Sequence, residues 1–137
     1  LLRCAQVSVL THEGKYENAL KKIDELIRGG SVAAGHGLHS LLLADRARCL
    51  AELGRHEDAA IALKQQEQLL PGKLTPDDLA LCHASFEACA QILGDEASSE
   101  AHRTAKSKAL GEHRLAMRNL LEKILKYSDQ SIINTRT

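Results

Sequence analysis

The sequence has very few aromatic residues. Among 137 residues it contains no tryptophan, and its aromatic side chains are Tyr16, Phe86 and Tyr127, although apolar residues make up 44% of the chain. Aromatic and β-branched side chains are the ones that suit the pleated, half-buried surface of a sheet. A core built from leucine, alanine and isoleucine is typical of closely packed helices. The composition therefore predicts an all-α fold.

The chain also lacks a surplus of either charge. Lys plus Arg number 18 and Asp plus Glu number 18, whereas a nucleic-acid interface needs basic residues concentrated on one face. No apolar run approaches the roughly 20 residues of a membrane span. The sequence begins at Leu1 without a signal peptide, which indicates a segment of a longer protein. We expect a cytoplasmic segment with neither a nucleic-acid partner nor a membrane span.

The cysteines form no C-x-x-C pair. They lie at Cys4, Cys49, Cys82 and Cys89. Such spacing does not suit a zinc ribbon or a redox motif. We expect these residues to act as small buried hydrophobic groups with free thiols in a reducing compartment.

The histidines provide the best metal candidates, His36 and His39. The nearest further ligands are Asp45 and Cys49, which do not share a helix face with His39 because six and ten residues correspond to about 240° and 280° of rotation. The sequence therefore predicts no metal site and no cofactor. The sequence contains no G-x-S-x-G motif, no P-loop and no G-x-G-x-x-G motif, which are common patterns of catalytic and nucleotide-binding sites. We expect a protein that is not an enzyme.

Three segments share a pattern at a fixed spacing. Residues 10–20 (LTHEGKYENAL) align with residues 50–60 (LAELGRHEDAA), and residues 90–96 (AQILGDE) form a fainter third copy. Their glycines Gly14, Gly54 and Gly94 are 40 residues apart. Glycine readily takes the left-handed conformation that ends a helix. The sequence therefore predicts helical hairpins that turn at these three glycines.

The second copy resembles a tetratricopeptide repeat. The matching residues are Ala47, Leu50, Gly54, Ala59, Leu63 and Pro71. The chain departs from the family pattern at three kinds of position. Arg3 and Leu43 stand where the family has tryptophan, and Val7 stands where it has a small residue in the first helix. Ile23 and Leu63 stand where it has phenylalanine. Its period also exceeds the family's value of about 34 residues, with the excess around residues 29–37. The resemblance implies that residues 1–95 form a right-handed α-solenoid, a stack of antiparallel helical hairpins with a concave peptide-binding face.

The helix boundaries follow from local signals. Gly29-Gly30 and Pro71-Gly72 are expected to end helices, and Thr75, Pro76 and Asp78 form a helix start with Thr75 as N-cap. We expect helices at residues 1–13, 15–28, 38–53, 55–70, 75–93 and 96–130.

The last helix, residues 96–130, changes pattern along its length. Ala97, Ala101 and Ala105 predict a narrow stripe that packs on the preceding hairpin. Beyond them the pattern is that of a heptad seam, which can join two copies of the chain into a homodimer. Its residues are Leu110, His113, Met117, Leu120, Ile124 and Tyr127. The alternative is a capping helix that also buries Leu121 and Leu125 on the last repeat. Residues 131–137 are expected to begin a linker to a further domain.

The resemblance also implies which residues line the concave face. In this family the first helix of each hairpin does so. The candidates are Ser8, Thr11, His12, Arg48, Glu52, Ala88 and Gln91. This mixed surface lacks the dense Lys/Arg clamp that grips a carboxylate terminus. A protein or peptide partner is the expected occupant.

The end of the chain suggests what the module regulates. Residues 133–137 (INTRT) resemble the opening of a GGDEF-type diguanylate cyclase domain, where Asp-x-Leu-Thr-Gly-Leu follows a signalling helix. Thr137 matches the threonine, while Asn134 and Arg136 replace the Asp and the Leu. The sequence favours a regulatory module of a bacterial signalling protein upstream of such a domain. The alternative is a free-standing adaptor that binds a peptide in its groove.

Overall fold

The computed structural model describes residues 2–30, 37–69 and 74–135, with side chains at residues 6–30, 38–65 and 74–130. In these ranges the chain forms six α-helices and no strand. Their bounds are α1 Leu2–His12, α2 Tyr16–Arg28, α3 Gly37–Glu52, α4 His56–Leu69, α5 Pro76–Leu93 and α6 Glu96–Thr135. The all-α prediction is confirmed, and the helix boundaries agree to within one or two residues except at the end of α6. The predicted helix end at Pro71-Gly72 and the metal candidate His36 lie outside the described residues.

The three glycine turns have the same geometry. Gly14, Gly54 and Gly94 have φ angles of 76°, 77° and 74°. At each turn the glycine N–H bonds to the carbonyl three residues earlier, and the next N–H bonds to the carbonyl five residues earlier, as from Arg55 to Leu50 at 2.9 Å. These bonds satisfy carbonyl groups that a helix end otherwise leaves unpaired. The 40-residue pattern of the sequence therefore marks one recurring turn.

The helices that precede these turns pack side by side. α3 contacts α1 on one side and α5 on the other, while α2 packs on α3 and α4 packs on α5. The core between them is closed by small and aliphatic residues, and its largest fully buried side chains include Phe86, Ile23 and Leu50. Burial of one such side chain stabilises the fold by about 1.5 to 3 kcal/mol. Hence α3 lies at the centre of the packed part of the chain.

Two helix starts show how local signals act. Thr75 precedes Pro76 as predicted, but its side chain makes no capping hydrogen bond. Its hydroxyl instead bonds the Asp77 carboxylate, which lowers the pKa of that carboxyl. At the start of α6 the Asp95 carboxylate accepts a 3.1 Å hydrogen bond from the Ser98 N–H. That bond lowers the pKa of Asp95, so Asp95 is the capping residue that the pattern search did not identify.

α6 packs on α5 by a different face from the predicted alanine stripe. Ala97 and Ala101 are exposed, whereas Ser99, His102 and Ala109 are buried. The reason is that polar side chains of α5 reach α6 and fix its rotation. The helix also continues to Thr135, five residues past the predicted end and into the expected linker. The predicted stripe is therefore wrong in register.

Candidate functional site

A half-open cavity of about 420 Å³ lies on the face formed by α1, α3 and α5. α3 supplies its floor, α1 and the start of α2 supply one wall, and α5 supplies the other. The lining residues are Ser8, Thr11, His12, Tyr16, Leu38, Leu41, Leu42, Asp45, Arg48, Leu81, Ala84 and Ser85. Its volume is within the range of about 300 to 1,000 Å³ that is usual for small-molecule sites. This cavity is the candidate binding site.

Four of the seven predicted groove residues meet at this cavity, and Ala88 does not line it. Ser8, Thr11 and His12 come from α1 and Arg48 comes from α3. Glu52 is exposed on the last turn of α3 and does not line it. Gln91 lies at a separate hollow near the turn between α5 and α6, where its amide bonds the Glu87 carboxylate at 3.4 Å. The structure thus separates the predicted set into four residues at the cavity and three residues outside it.

Asp45 is the most unusual group in the cavity. Its Oδ1 accepts a 2.9 Å hydrogen bond from the Ser85 hydroxyl across the α3–α5 contact. Burial raises the pKa of Asp45, and the Ser85 bond and the Arg48 charge only partly oppose that effect. A buried carboxylate is costly unless it is paired with a cation. Such a perturbed acid in a cavity is a mark of a functional site.

Arg48 lies one turn along α3 from Asp45. Its Nε is buried and has no hydrogen-bond partner among the described residues. A buried donor without an acceptor costs about 1 to 3 kcal/mol. Arg48 and Asp45 form no ion pair in the described part of the chain, because none of its N–O contacts within 4.0 Å joins them. The guanidinium therefore offers an unmet donor at the edge of the cavity.

The rest of the cavity is largely aliphatic. Leu41 and Leu42 come from α3, and Leu81 projects from α5 with 59% of its surface exposed. The Thr11 hydroxyl donates to the Val7 carbonyl at 2.8 Å, so its own helix already provides its acceptor. An apolar pocket with a few convergent polar groups is the usual form of a ligand site.

The sequence contained one signal that would have identified Asp45 and Ser85. The two residues are 40 positions apart, which is the spacing of the repeated glycines. Side chains at equivalent positions of neighbouring hairpins face each other when the first helices pack side by side. Leu41 and Leu81 have the same spacing and both line the cavity. A search for polar residues one period apart would have selected the pair.

A second polar cluster joins α5 to α6. The Glu87 carboxylate is buried and receives the Lys106 ammonium at 2.6 Å and the Arg103 guanidinium at 3.1 Å. The hydrogen bond from Lys106 is the largest of the causes that hold the pKa of Glu87 below its usual range, ahead of that from Arg103. These contacts connect α5, which lines the cavity, to α6.

Two imidazoles lie beside this cluster. The Nδ1 atoms of His83 on α5 and His102 on α6 are 2.9 Å apart, and the Phe86 ring lies 5.1 Å from the His102 ring, centre to centre. A hydrogen bond between two ring nitrogens requires a proton on one and a lone pair on the other. The arrangement fixes the rotation of α6 around its buried face.

The part of α6 beyond Ala109 leaves the packed region. Ala109 is 2% exposed, whereas Leu121 and Leu125 are 57% and 56% exposed, and α5 is the only described helix in contact with α6. The alternative of a cap that buries Leu121 and Leu125 is therefore wrong for the described chain. Its exposed apolar residues, here called the distal stripe, are Leu110, Met117, Leu120, Leu121, Ile124, Leu125 and Tyr127.

The distal stripe contains five of the six predicted seam residues, all except His113. At 100° per residue its seven side chains fall within about 160° of the helix circumference. His113 lies in the same sector and is half-buried. Leu115 is also exposed but points to the other side of the helix.

The cysteines and histidines form no metal site in the described ranges, where no group of three or more potential ligand side chains occurs. Cys49, Cys82 and Cys89 are buried, and none of them forms a disulfide. Burial raises the pKa of Cys49 to about 11 and that of Cys82 to about 12, so neither thiolate is accessible at neutral pH. This confirms their predicted role as buried hydrophobic groups, while the Cys4 side chain and His36 lie outside the described residues.

None of the helices that the structure describes combines the length and apolarity needed to cross a bilayer. Comparison with known proteins found no matching family model, no matching curated protein and no matching solved structure.

Proposed function

We propose that this chain is a non-catalytic regulatory module in which a binding event on the hairpins is passed on through α6. The observation that carries the proposal is the distal part of α6. Residues 114–135 extend about 33 Å at 1.5 Å per residue, and the side chains of residues 114–130 are all exposed, among them most of the distal stripe. Most of the stability of a helix in a protein comes from the packing of its apolar face. The distal stripe therefore needs a partner.

The proposed partner is α6 of a second copy. Leu110, Met117 and Ile124 recur every seven residues, which is the period that keeps an apolar seam facing another helix. A change of rotation or register in a paired helix is a two-state change that can reach a downstream domain. The Glu87 cluster supplies the connection from the binding face, because α5 lines the cavity and also holds α6.

The hairpin region is proposed to be a tetratricopeptide-like stack that accepts a partner. The shared geometry of the three glycine turns and the side-by-side packing of α1, α3 and α5 support this part of the proposal. The buried thiols suit the cytoplasm, which is the proposed location.

A GGDEF-type diguanylate cyclase domain is the proposed output. The support is the similarity of residues 133–137 to the opening of that domain, directly after a helix with a heptad seam. The parent gene tests it cheaply. Gly-Leu directly after Thr137, with Asn-Arg a few residues later, would support the cyclase, while any other continuation would reject it.

The experiment for the proposed function is light scattering on the whole chain and on a chain that ends at Ala109. We expect the whole chain to be a dimer and the shortened chain to be a monomer. Ile124→Asp places a carboxylate in the distal stripe and should give a monomer. Asn119→Asp is the matched control, because it adds the same group to the opposite face of the helix and should leave the dimer intact.

A monomeric whole chain at high concentration would contradict the proposal. It would leave the second candidate, a free-standing adaptor with a peptide in its groove. The observation that favours this candidate is the cavity itself, with its partly apolar lining and its unmet Arg48 donor.

A further inference from the structure

The cavity contains two groups of opposite charge that lack a direct partner of opposite sign. Arg48 has a buried Nε without an acceptor, and Asp45 has a half-buried carboxylate that is bonded to a neutral hydroxyl. The two residues are three positions apart on α3. Side chains at that spacing lie on one helix face with Cβ atoms about 5 to 6 Å apart. A ligand with an anionic and a cationic group close together would satisfy both.

An α-amino acid has this arrangement of charges. Its carboxylate and its ammonium are attached to the same carbon, so one molecule spans two protein groups that lie one helical turn apart. Guanidinium groups bind carboxylates through paired N–H donors. The aliphatic lining beside this pair, formed by Leu41, Leu42 and Leu81, suits an apolar side chain on the ligand.

We propose that the cavity between α1, α3 and α5 binds a free aliphatic α-amino acid. Its carboxylate pairs with Arg48, its ammonium pairs with Asp45, and its side chain lies among the three leucines. The inference rests on the proposed function, since it names the ligand at the input face of that regulatory module.

Two features favour a free amino acid over a peptide end. The amide N–H of the last residue of a peptide carries no charge. The half-buried Asp45 carboxylate forms a stronger hydrogen bond with a charged ammonium group than with a neutral amide. Burial raises the pKa of Asp45. A bound cation would therefore offset the free-energy cost of removing the charged carboxylate from water. Asp45 and Arg48 also lie about one helical turn apart on the same helix, which matches the short distance between the two charges of a compact ligand.

Calorimetric titration of the whole chain with leucine at pH 7 tests the inference. We expect one site per chain. Leucinamide lacks the carboxylate and N-acetylleucine lacks the ammonium, so each should bind at least about tenfold more weakly, the size expected for one lost charge-assisted hydrogen bond. Arg48→Gln and Asp45→Asn should each weaken leucine binding by a similar factor.

Arg46→Gln is the matched control, because Arg46 lies on the same helix but pairs with Asp24 at 3.0 Å outside the cavity. It should bind leucine like the unaltered chain. No leucine binding by a helical chain would overturn the inference, and so would N-acetylleucine binding as tightly as leucine, which would indicate a peptide end.

Light scattering on the same samples separates this result from the proposed function. A dimer that binds no leucine rejects the amino-acid ligand alone. A monomer that binds leucine rejects the helix pairing and leaves the ligand site standing.

Discussion

Single residues determine the properties of the cavity through their burial. Asp45 is the main example. Its carboxylate is partly shielded from water where α3 packs on α5, and no direct ion pair neutralises it. A group that lowers stability and lies in a cavity is a common sign that function requires it.

The Asp45 carboxylate should make the fold sensitive to pH. Its folded-state pKa lies above the ordinary value of 3.8, so the folded chain holds the proton more tightly than the unfolded chain. Stability is then lost as the pH rises through the folded-state pKa. We expect Asp45→Asn to raise the free energy of unfolding at pH 7 by about 1 kcal/mol, and by much less near pH 4.

Urea unfolding at the two pH values measures this difference. Asp58→Asn is a suitable control, since Asp58 is exposed on α4 and pairs with Arg55 at 2.9 Å. An Asp45→Asn chain that is less stable than the unaltered chain at pH 7 would contradict the account.

Gly54 carries the turn between α3 and α4 through its backbone alone. Its φ of 77° is in the left-handed region, and a Cβ built there has no atom within 4 Å. Gly54→Ala should therefore cost about 1 to 2 kcal/mol from backbone strain only. Gly111→Ala is the comparison, because Gly111 lies inside α6 in open space and alanine favours the helix by about 0.5 to 1 kcal/mol. Thermal melts that shift in the same direction for both variants would reject the assignment of the turn.

At the level of elements, α6 is held to the packed region by a short stretch of α5. Glu87, Arg103 and Lys106 form one part of the contact, and His83 with His102 forms the other. Beyond His113 every described side chain of the helix is exposed. The joint between α5 and α6 is therefore the place where a signal would pass.

Glu87→Gln should weaken this joint. The pKa of Glu87 is lowered, first by the Lys106 bond, so its contribution to stability is present above the ordinary carboxyl pKa and is lost as the pH falls through the folded-state value. We expect a loss of about 1 to 2 kcal/mol at pH 7, reduced by the exposure of Arg103 and Lys106 to solvent. The loss should shrink below pH 4.

Glu100→Gln provides the control for chemical unfolding of this variant. Glu100 pairs with Arg103 at 3.1 Å, but its side chain is largely exposed. An exposed pair contributes about 0 to 1 kcal/mol. Equal effects of the two substitutions would show that burial of Glu87 has no energetic role.

At the scale of the whole molecule, the chain divides into a packed region and a projecting helix. The five helices α1 to α5 bury their apolar residues in one shared core, whereas the second half of α6 exposes the distal stripe. The two parts should respond differently to concentration, since the proposed dimer pairs only the second.

Amide hydrogen exchange should report this difference. Amides of residues 112–130 should exchange rapidly in dilute protein, because an unpaired helix opens often, and slowly at concentrations where the dimer forms. Amides of α3 and α5 should be protected in both conditions. Slow exchange of residues 112–130 at every concentration would show that α6 is stable without a partner.

The sequence by itself determined the helices and their turns. The apolar spacing, the three glycines and Pro76 act over a few residues, and a local signal needs no knowledge of distant contacts. The distal heptad was readable for the same reason, because a seven-residue period is a property of one helix. Ser8, Thr11, His12 and Arg48 were found through the position that the repeat gave them.

Only the tertiary structure decided which side chains meet. The Asp45–Ser85 bond, the Glu87 cluster and the His83–His102 contact depend on the angle and rotation of neighbouring helices. That rotation is a compromise among many packed side chains, so the alanine stripe alone misplaced the buried face of α6. Glu52 and Gln91 do not line the cavity, because they lie near the carboxyl-terminal ends of α3 and α5, beyond the parts of these helices that form its lining.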